Sequence, residues 1–485
     1  MYLGLDLGTS GVTALLLGED LEVVGRSDRT IQTDSPQPGW IEQTPRVLLA
    51  AVIDAAMEVM GPLPPGASIR AVGLANPGES VLAWDARSGD PLTPVLVWSD
   101  TRASEICERL RAQGLEPTLT ELSGLPLDPY FCAAKFAWLL EHDAAVREAH
   151  TAGFLRLCTL DAWIIFQLSG QYFTDHSTAS RTQLYDQVRG CWSPELLGHF
   201  GLPLGVLPEI RPSLSPLGML NLGETQVPWH AALLDQVAAL AGNGCFEEGT
   251  LKVTYGTGAF VVAQAGSLAA PAASGLLRTV GVNDAGGRTF ILEGGVYSAG
   301  SAVQWLQRLG LLGHASEASA LAESADGARL RFLPAFSGLG APWWEPEARG
   351  VLAGMTAQTG KAEIVRGVLD GIASCVTDIL VGMDQALPHL QRVRADGGLA
   401  QNGYLMQRQA DLSGLIIERS TEHEATALGM ALLAGVSAGL LSREQVQQRT
   451  RSVEVFMPRL PEAERLHERS LWKEWLAQAA ALGSR

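Results

Sequence analysis

Residues Leu251–Gln264, LKVTYGTGAFVVAQ, decide the fold. Val253 and Tyr255, then Phe260, Val261 and Val262, supply the β-branched and aromatic residues of two strands. Gly256-Thr257-Gly258 lies between them as a hairpin tip. Glycine there permits positive φ and a close approach of the backbone to a ligand. A threonine hydroxyl beside free N–H groups makes a donor surface suited to a phosphate. One such turn is ordinary, but the plan recurs at the N-terminus. Met1–Gly18, MYLGLDLGTSGVTALLLG, sets Gly8-Thr9-Ser10-Gly11 between two apolar strands. Two Gly-Thr hairpins, about 250 residues apart, predict a duplicated fold whose halves face a shared cleft.

The composition is that of a globular, loop-rich chain, with 53 Gly and 25 Pro. Its 485 residues are too many for one hydrophobic core and predict at least two domains. Hydrophobic residues make up 47% and charged residues 18%, without the polar excess of disorder. A formal net charge of −17 argues against a nucleic-acid partner, which would need basic patches. A small anionic ligand is compatible with it, because local N–H groups bind such a ligand against the overall field. Cys107, Cys132, Cys158, Cys191, Cys245 and Cys375 are widely spaced, with no CxxC or metal-ligand pattern, and read as core thiols of a reducing compartment. The sequence opens on a strand without a basic leader and has no apolar run of membrane-spanning length, so a soluble, cytoplasmic protein with no membrane partner is expected.

Strands and helices alternate throughout. Thr44–Met60 has helical apolar spacing, and Ile69–Leu74 is a short buried strand leading into Asn76-Pro77-Gly78-Glu79-Ser80. A loop at a strand's carboxyl end is where α/β sheets place ligand residues. Further strands are expected at Val81–Trp84 and Pro94–Trp98. Leu127–Leu140 reads as a helix capped near Asp128, with Tyr130 and Lys135 placed to face a cleft. Asp175–Arg181 reads as a polar loop, and Gln226–Trp229 as a strand before Asp235-Gln236 and a small-residue helix. In the second half, Ala299–Leu309, Gln401–Leu412 and Ala425–Ala438 read as helices, as does Lys361–Leu387, stopped by Pro388. The class is α/β, with domains expected at residues 1–243 and 244–485.

Asp6 immediately precedes the first Gly-Thr turn. A carboxylate aimed at a phosphate loop is repulsive unless a divalent cation bridges them, and Mg²⁺ suits one or two carboxylates shared with phosphates. Asp235 precedes the second hairpin and can reach the same cleft. One carboxylate placing the metal and another accepting a hydroxyl proton is the division that phosphoryl transfer requires. Gly354–Ala362, GMTAQTGKA, is a decoy. It has five residues between its glycines where a P-loop has four, and Ala362 stands where Ser or Thr belongs.

Several motifs together carry a resemblance: DLGTSG at Asp6–Gly11, DPYFCAAKFAWLL, TYGTGAF, FSGLGAPWWEPEARG at Phe336–Gly350 and DGGLAQNGYLMQ at Asp396–Gln407. In this order and spacing they resemble the FGGY carbohydrate kinases from Tyr2 to about Leu441, and the second-half motifs are most similar to the glycerol kinases of that family. The resemblance implies two duplicated actin/Hsp70-like (ribonuclease H-like) ATPase domains around a hinged cleft. It also implies ATP and Mg²⁺ as cofactors and transfer of a phosphoryl group to a small polyol or sugar, glycerol giving glycerol 3-phosphate. Carried over by position, Ser10, Gly11, Val12 and Thr257 resemble the phosphate loops. Gly300, Gln304, Gly398 and Asn402 resemble further nucleotide contacts. Glu79, Trp98, Tyr130, Asp235, Gln236 and Phe260 match a polyol pocket. Asp235 would be the general base, and Asp6 with Asp235 would hold the metal.

The sequence also departs from that pattern. Glycerol kinases carry an arginine directly before the glutamate of the Glu79 loop, and here it is Gly78, which removes a fixed hydroxyl donor and should add volume. Thr13 replaces a basic residue, Cys132 stands where Ser, Thr or Pro is usual, and the first twelve residues look more like a xylulokinase. A four- or five-carbon polyol or ketose is therefore the alternative substrate. A non-transferring actin-like ATPase is the rival class, and it would have no need of the polyol residues. A homo-oligomer, dimer or tetramer, is the remaining expectation.

Overall fold

The computed structural model describes the chain except residues 62, 64–65, 268–274, 328, 388–389, 421–423, 450–451 and 484–485. Both Gly-Thr motifs turn between antiparallel strands, β1 (Tyr2–Leu7) and β2 (Gly11–Leu17) in one case, and Leu251–Tyr255 and Ala259–Gly266 in the other. The turn glycines are not used for positive φ, contrary to expectation. They are used for closeness: a Cβ on Gly11 would stand 2.5 Å from the Arg29 carbonyl oxygen, and one on Gly258 2.7 Å from that of Val296.

Two units make up the chain. The first comprises Met1–Gly244, Thr279–Phe290 and Glu424–Thr450. Its main sheet adds β3 (Val23–Thr30), β4 (Ala71–Asn76), β5 (Leu214–Leu222) and β6 (Thr225–Leu234), in the order β5-β6-β4-β1-β2-β3. β1, β2 and β3 form an antiparallel meander, whereas β4 and β6 run parallel to β1. Helix Pro45–Met60 packs on one face through Leu48, Val52, Ala55 and Val59, the apolar stripe of its sequence.

Helices Asp235–Gly242 and Ala425–Ser437 pack together, and the second lies on β1 and β4 at backbone distance. A Cβ on Gly4 would meet the Ala427 carbonyl oxygen at 1.8 Å, and one on Gly429 that of Ala238 at 1.9 Å. The small residues of both helices follow from this approach, which larger side chains would prevent.

The second unit comprises Cys245–Arg278, Ile291–His423 and Arg451–Arg485. Its strands are β7 (Leu251–Tyr255), β8 (Ala259–Gly266), β9 (Leu277–Asp284), β10 (Gly287–Val296), β11 (Arg392–Asp396), β12 (Ile416–Ser420) and β13 (Ser452–Phe456). The order is β9-β10-β8-β7-β11-β12-β13, and the turn end of the β9–β10 hairpin belongs to the first unit. With β7 antiparallel to β8 and parallel to β11, which is parallel to β12, this repeats the first sheet's β3-β2-β1-β4-β6 plan. The fold is α/β and duplicated.

Some elements differ from expectation. Asp175–Arg181 is not a loop but the one-turn helix His176–Ala179, capped by Asp175, and it is almost wholly buried. The helix expected from Leu127 begins at Cys132, because the Asp128 carboxylate accepts the Tyr130 N–H and holds a turn before it. Strand β5 was not foreseen; Pro216 and Gly218 lie where its register slips. Cys191 is exposed, whereas the other cysteines are buried free thiols. Pro388 lies outside the described residues. Among those described, no helix is long and apolar enough to cross a membrane.

Candidate active site

Three acidic residues issue from the carboxyl ends of neighbouring parallel strands. Asp6 is the penultimate residue of β1 and lies across from Ala75 of β4; Asn76, ending β4, lies across from Leu234, ending β6. Glu79 follows three residues after the end of β4, and Asp235 directly after the end of β6 as the first residue of its helix. Side chains far apart in sequence thus share one edge of a sheet, where α/β proteins bind ligands.

Asn76, not singled out from the sequence, fastens that edge. Its amide donates to Thr178 Oγ1 at 3.0 Å and to the Leu233 carbonyl at 3.3 Å, while its Oδ1 accepts the Gly78 N–H at 2.8 Å. The Leu234 N–H donates to Ser177 Oγ at 2.9 Å. The small polar residues of Asp175–Arg181 are therefore internal ties. They also place Arg181, 1% exposed, whose Nε donates to Glu79 Oε1 at 2.5 Å. Glu79 is 2% exposed and would be costly there without that cation.

The space expected at Gly78 is absent. A Cβ on this residue, at φ +81°, would stand 2.3 Å from Leu234 Cδ1 and 3.6 Å from Arg181 Cγ. Cys132 Sγ lies 3.6 Å from the Gly78 carbonyl oxygen, so the thiol packs beneath the loop.

Trp98 and Tyr130 stand side by side, their ring centroids 5.5 Å apart. Trp98 Nε1 donates to Thr9 Oγ1 at 2.9 Å, joining this aromatic pair to the first Gly-Thr turn. Gln236 follows Asp235 on the first helical turn, and both are half-buried. Lys135, expected to face a cleft, is wholly buried instead.

Asp6 bears on the expected Mg²⁺. Its Oδ1 is fully covered and has no hydrogen-bond partner among the described residues. Burial, then the carboxylates of Asp235 and Glu424, push its pKa well above the ordinary range. A cation would relieve that cost, and Mg²⁺ commonly takes one or two carboxylates and fills its other positions with water and phosphate. Asp6 and Asp235 fit it on these terms. No group of three or more His, Cys, Asp or Glu among the described residues forms an all-protein cage. Glu424, which pairs with Arg26 at 2.7 Å, is a third carboxylate near Asp6 that had no signal in the sequence.

Of the expected phosphate-loop residues in the first unit, Ser10 is exposed, Gly11 half-buried and Val12 buried within β2. In the second unit Thr257 is exposed at the tip of its turn. Its carbonyl accepts the Ala299 and Ser301 N–H groups at 3.0 and 3.1 Å, and the Gly256 carbonyl accepts that of Gly300 at 3.0 Å. Helix Gly300–Arg308 is thereby tied to the hairpin, with Gln304 exposed on it and Phe260 half-buried nearby on β8. Gly398 is exposed and opens a short 3₁₀ turn; Asn402 Oδ1 caps the following helix by accepting the Leu405 N–H at 2.9 Å. Asn402 Nδ2 is covered and has no partner among the described residues. Gly397, φ +87°, lies against β7, where a Cβ would meet the Tyr255 carbonyl oxygen at 2.5 Å.

A duplicated β-meander fold with acidic residues at its strand ends, beside a Gly-Thr turn, defines a phosphotransferase of the ATPase-domain class. Models of the FGGY family of carbohydrate kinases match the chain, the N-terminal domain at residues 1–242 and the C-terminal domain at residues 251–438. The chain is 39% identical to a glycerol kinase of Halorhodospira halophila, over 96% of this chain and 93% of that one. It is 39% identical to one of Thermus brockianus, over 98% and 96%. The crystal structure of Plasmodium falciparum glycerol kinase with ADP superimposes with a TM-score of 0.93 at 30% identity, covering 98% of this chain and 97% of that one. The chain belongs to the FGGY family of carbohydrate kinases, and is a phosphotransferase with an alcohol acceptor.

Proposed function

We propose that the chain transfers the γ-phosphoryl group of ATP, with Mg²⁺, to a hydroxyl of a small polyol, and that this polyol is glycerol. The observation supporting it most directly is the convergence of Asp6, Glu79 and Asp235 at the ends of β1, β4 and β6, with Trp98 bonded to the first Gly-Thr turn. Relatives named glycerol kinase, matched along nearly their whole length, support glycerol as the acceptor.

In this reading Glu79 and Gln236 hold acceptor hydroxyls, while Trp98, Tyr130 and Phe260 cover its carbon face and exclude water. Asp235 accepts the proton of the attacking hydroxyl. Ser10, Gly11, Val12 and Thr257 hold phosphates, and Gly300, Gln304, Gly398 and Asn402 hold the remainder of the nucleotide. Asp6 and Asp235 would hold Mg²⁺, which when bound neutralises charge on the transferring phosphate. Residues 1–243 carry the acceptor side and residues 244–485 the nucleotide side. We place the protein in the cytoplasm, where ATP is at hand, as a homo-oligomer, dimer or tetramer, to be determined by sedimentation.

A coupled ADP-release assay with Mg-ATP and glycerol, erythritol, xylulose, ribulose or gluconate tests the proposal. Glycerol should give the highest kcat/KM. A higher value for a longer acceptor would reassign the substrate, and acceptor-independent hydrolysis alone would leave an ATPase.

A further inference from the structure

Lys135 lies on the helix Cys132–His142 with its side chain 0% exposed. Its ammonium donates to the main-chain carbonyl oxygens of Tyr130 at 2.6 Å, Glu79 at 3.2 Å and Trp98 at 3.2 Å. An ammonium has three donors, and each is accounted for by a carbonyl. Those carbonyls belong to Glu79, Trp98 and Tyr130, which come from three separate stretches of chain and form the acceptor-binding side of the proposed site.

Sheet pairing of Val81 with Leu96 joins two of these segments, and Lys135 ties both of them, just beyond that pair, to the Tyr130 turn. Glu79 lies in a loop after β4, Trp98 just beyond the short strand Val95–Leu96, and Tyr130 in the turn before the helix. The same three segments carry the carboxylate and both rings of the expected pocket. We propose that Lys135 is a positioning residue for the polyol site, a buried three-way tie that sets the spacing of Glu79, Trp98 and Tyr130. It touches no substrate. It acts because removal of its ammonium takes a donor from three main-chain carbonyls at once, and relaxation moves the side chains attached to them. Displacements well under an ångström matter where an acceptor must be held for attack. The inference rests on the polyol-site reading given above.

The test is steady-state kinetics of the full chain with Lys135→Met, varying glycerol and ATP separately. Phe136→Leu serves as a control in the same helix and core, and thermal midpoints are recorded for each variant. Lys135→Met should raise the glycerol KM tenfold or more with the ATP KM within twofold of wild type. Phe136→Leu should lower the thermal midpoint and leave both KM values near wild type. Lys135→Gln, which retains two donors, should fall between wild type and Lys135→Met, and it stands in if the methionine variant does not fold.

An unchanged glycerol KM in either lysine variant would overturn the proposal. A glycerol KM that rises equally in Phe136→Leu, or an ATP KM that rises in step, would also overturn it. Failure of both lysine variants to fold would assign Lys135 to the core alone. Glu79→Gln, measured alongside, separates the two readings. If it leaves the glycerol KM unchanged, the polyol site itself is misplaced; if it raises that KM and Lys135→Met does not, only the positioning role fails.

Discussion

Trp98 Nε1 donates to Thr9 Oγ1 across 2.9 Å, so the aromatic wall of the proposed acceptor side hangs on the first Gly-Thr turn. Thr9 thereby joins the turn to the ring of Trp98. Thr9→Val, close in shape but without the acceptor, should weaken polyol binding through Trp98. Loss of a neutral hydrogen bond, about 0.5–1.5 kcal/mol, corresponds to roughly three- to tenfold in affinity. Glycerol titration of tryptophan fluorescence without nucleotide would show the shift, and an unaltered curve would detach Trp98 from the turn.

Asp235→Asn keeps the shape of the helix start and removes the proposed base. It should lower kcat by about 10²-fold or more, the range for a positioned base, while calorimetric binding of ADP stays near wild type. Wild-type turnover would exclude Asp235 from proton transfer.

Asp6→Asn should separate stability from activity. The folded pKa of Asp6 is raised by burial and by neighbouring carboxylates. Stability from its protonated form is therefore present at low pH and lost as pH rises. Without Mg²⁺ an ionised carboxylate there is a cost that grows as pH rises, so the amide should raise the melting midpoint at high pH while phosphoryl transfer falls. Scanning calorimetry with EDTA, set beside the coupled assay, reads both; a lowered midpoint with full activity would contradict the assignment.

Much of this arrangement was legible in the residues because it is local. The hairpins announce themselves through β-branched and aromatic residues around a Gly-Thr tip, and Asp235 through its place before a small-residue helix. The ties between segments were not legible. Nothing in DHSTASR distinguishes a solvated loop from a buried turn, since its polar groups gain partners from Asn76, Ser213 and Leu234, which arrive from elsewhere in the chain. Arg181 reads as a loop cation and Lys135 as a cleft residue, and their burial is set by the Glu79 carboxylate, 102 residues from Arg181, and by carbonyls up to 56 residues from Lys135. The glycines of the turns gave the right position for another reason, the nearness of neighbouring carbonyls.

Gly78 shows how a gap in a pattern misleads. From the sequence alone, an arginine there should tighten glycerol binding. The residue sits at φ +81° with Leu234 Cδ1 in the path of any Cβ, and Leu234 precedes the proposed base. Gly78→Ala should destabilise the protein by about 1–2 kcal/mol, the cost of a left-handed backbone, and Gly78→Arg should lower kcat by disturbing Asp235. Improved kcat/KM for glycerol in Gly78→Arg would show that the loop refolds around the new side chain.

Asp378, in the second unit, is pushed up to about 6 chiefly by burial, although it accepts Trp472 Nε1 at 2.8 Å. Its folded pKa exceeds its ordinary value of 3.8, so its contribution is complete below that value and is lost as pH climbs to about 6. Over roughly two pH units this amounts to something on the order of 3 kcal/mol. Asp378→Asn should flatten the fall in melting midpoint between these pH values. Asp161, also raised to about 6 by burial, retains its share of the slope in the first unit. Superimposable pH profiles for variant and wild type would remove Asp378 from the account.

Helix Ala425–Ser437 covers β1 at backbone distance, although Gly4 and Ala427 are separated by most of the chain. During synthesis, β1 and β4 must therefore wait for their cover while strands β7 to β12 of the second sheet are being made. At ~5–20 residues per second, the roughly 200 residues between Gly244 and the end of that covering segment take ~10–40 s to emerge. A nascent chain stalled near Gly244 would display Gly4, Gly73 and the apolar row beside them as an open groove, a natural target for chaperones. Two gene fragments cut at that point should be soluble only when they are translated together.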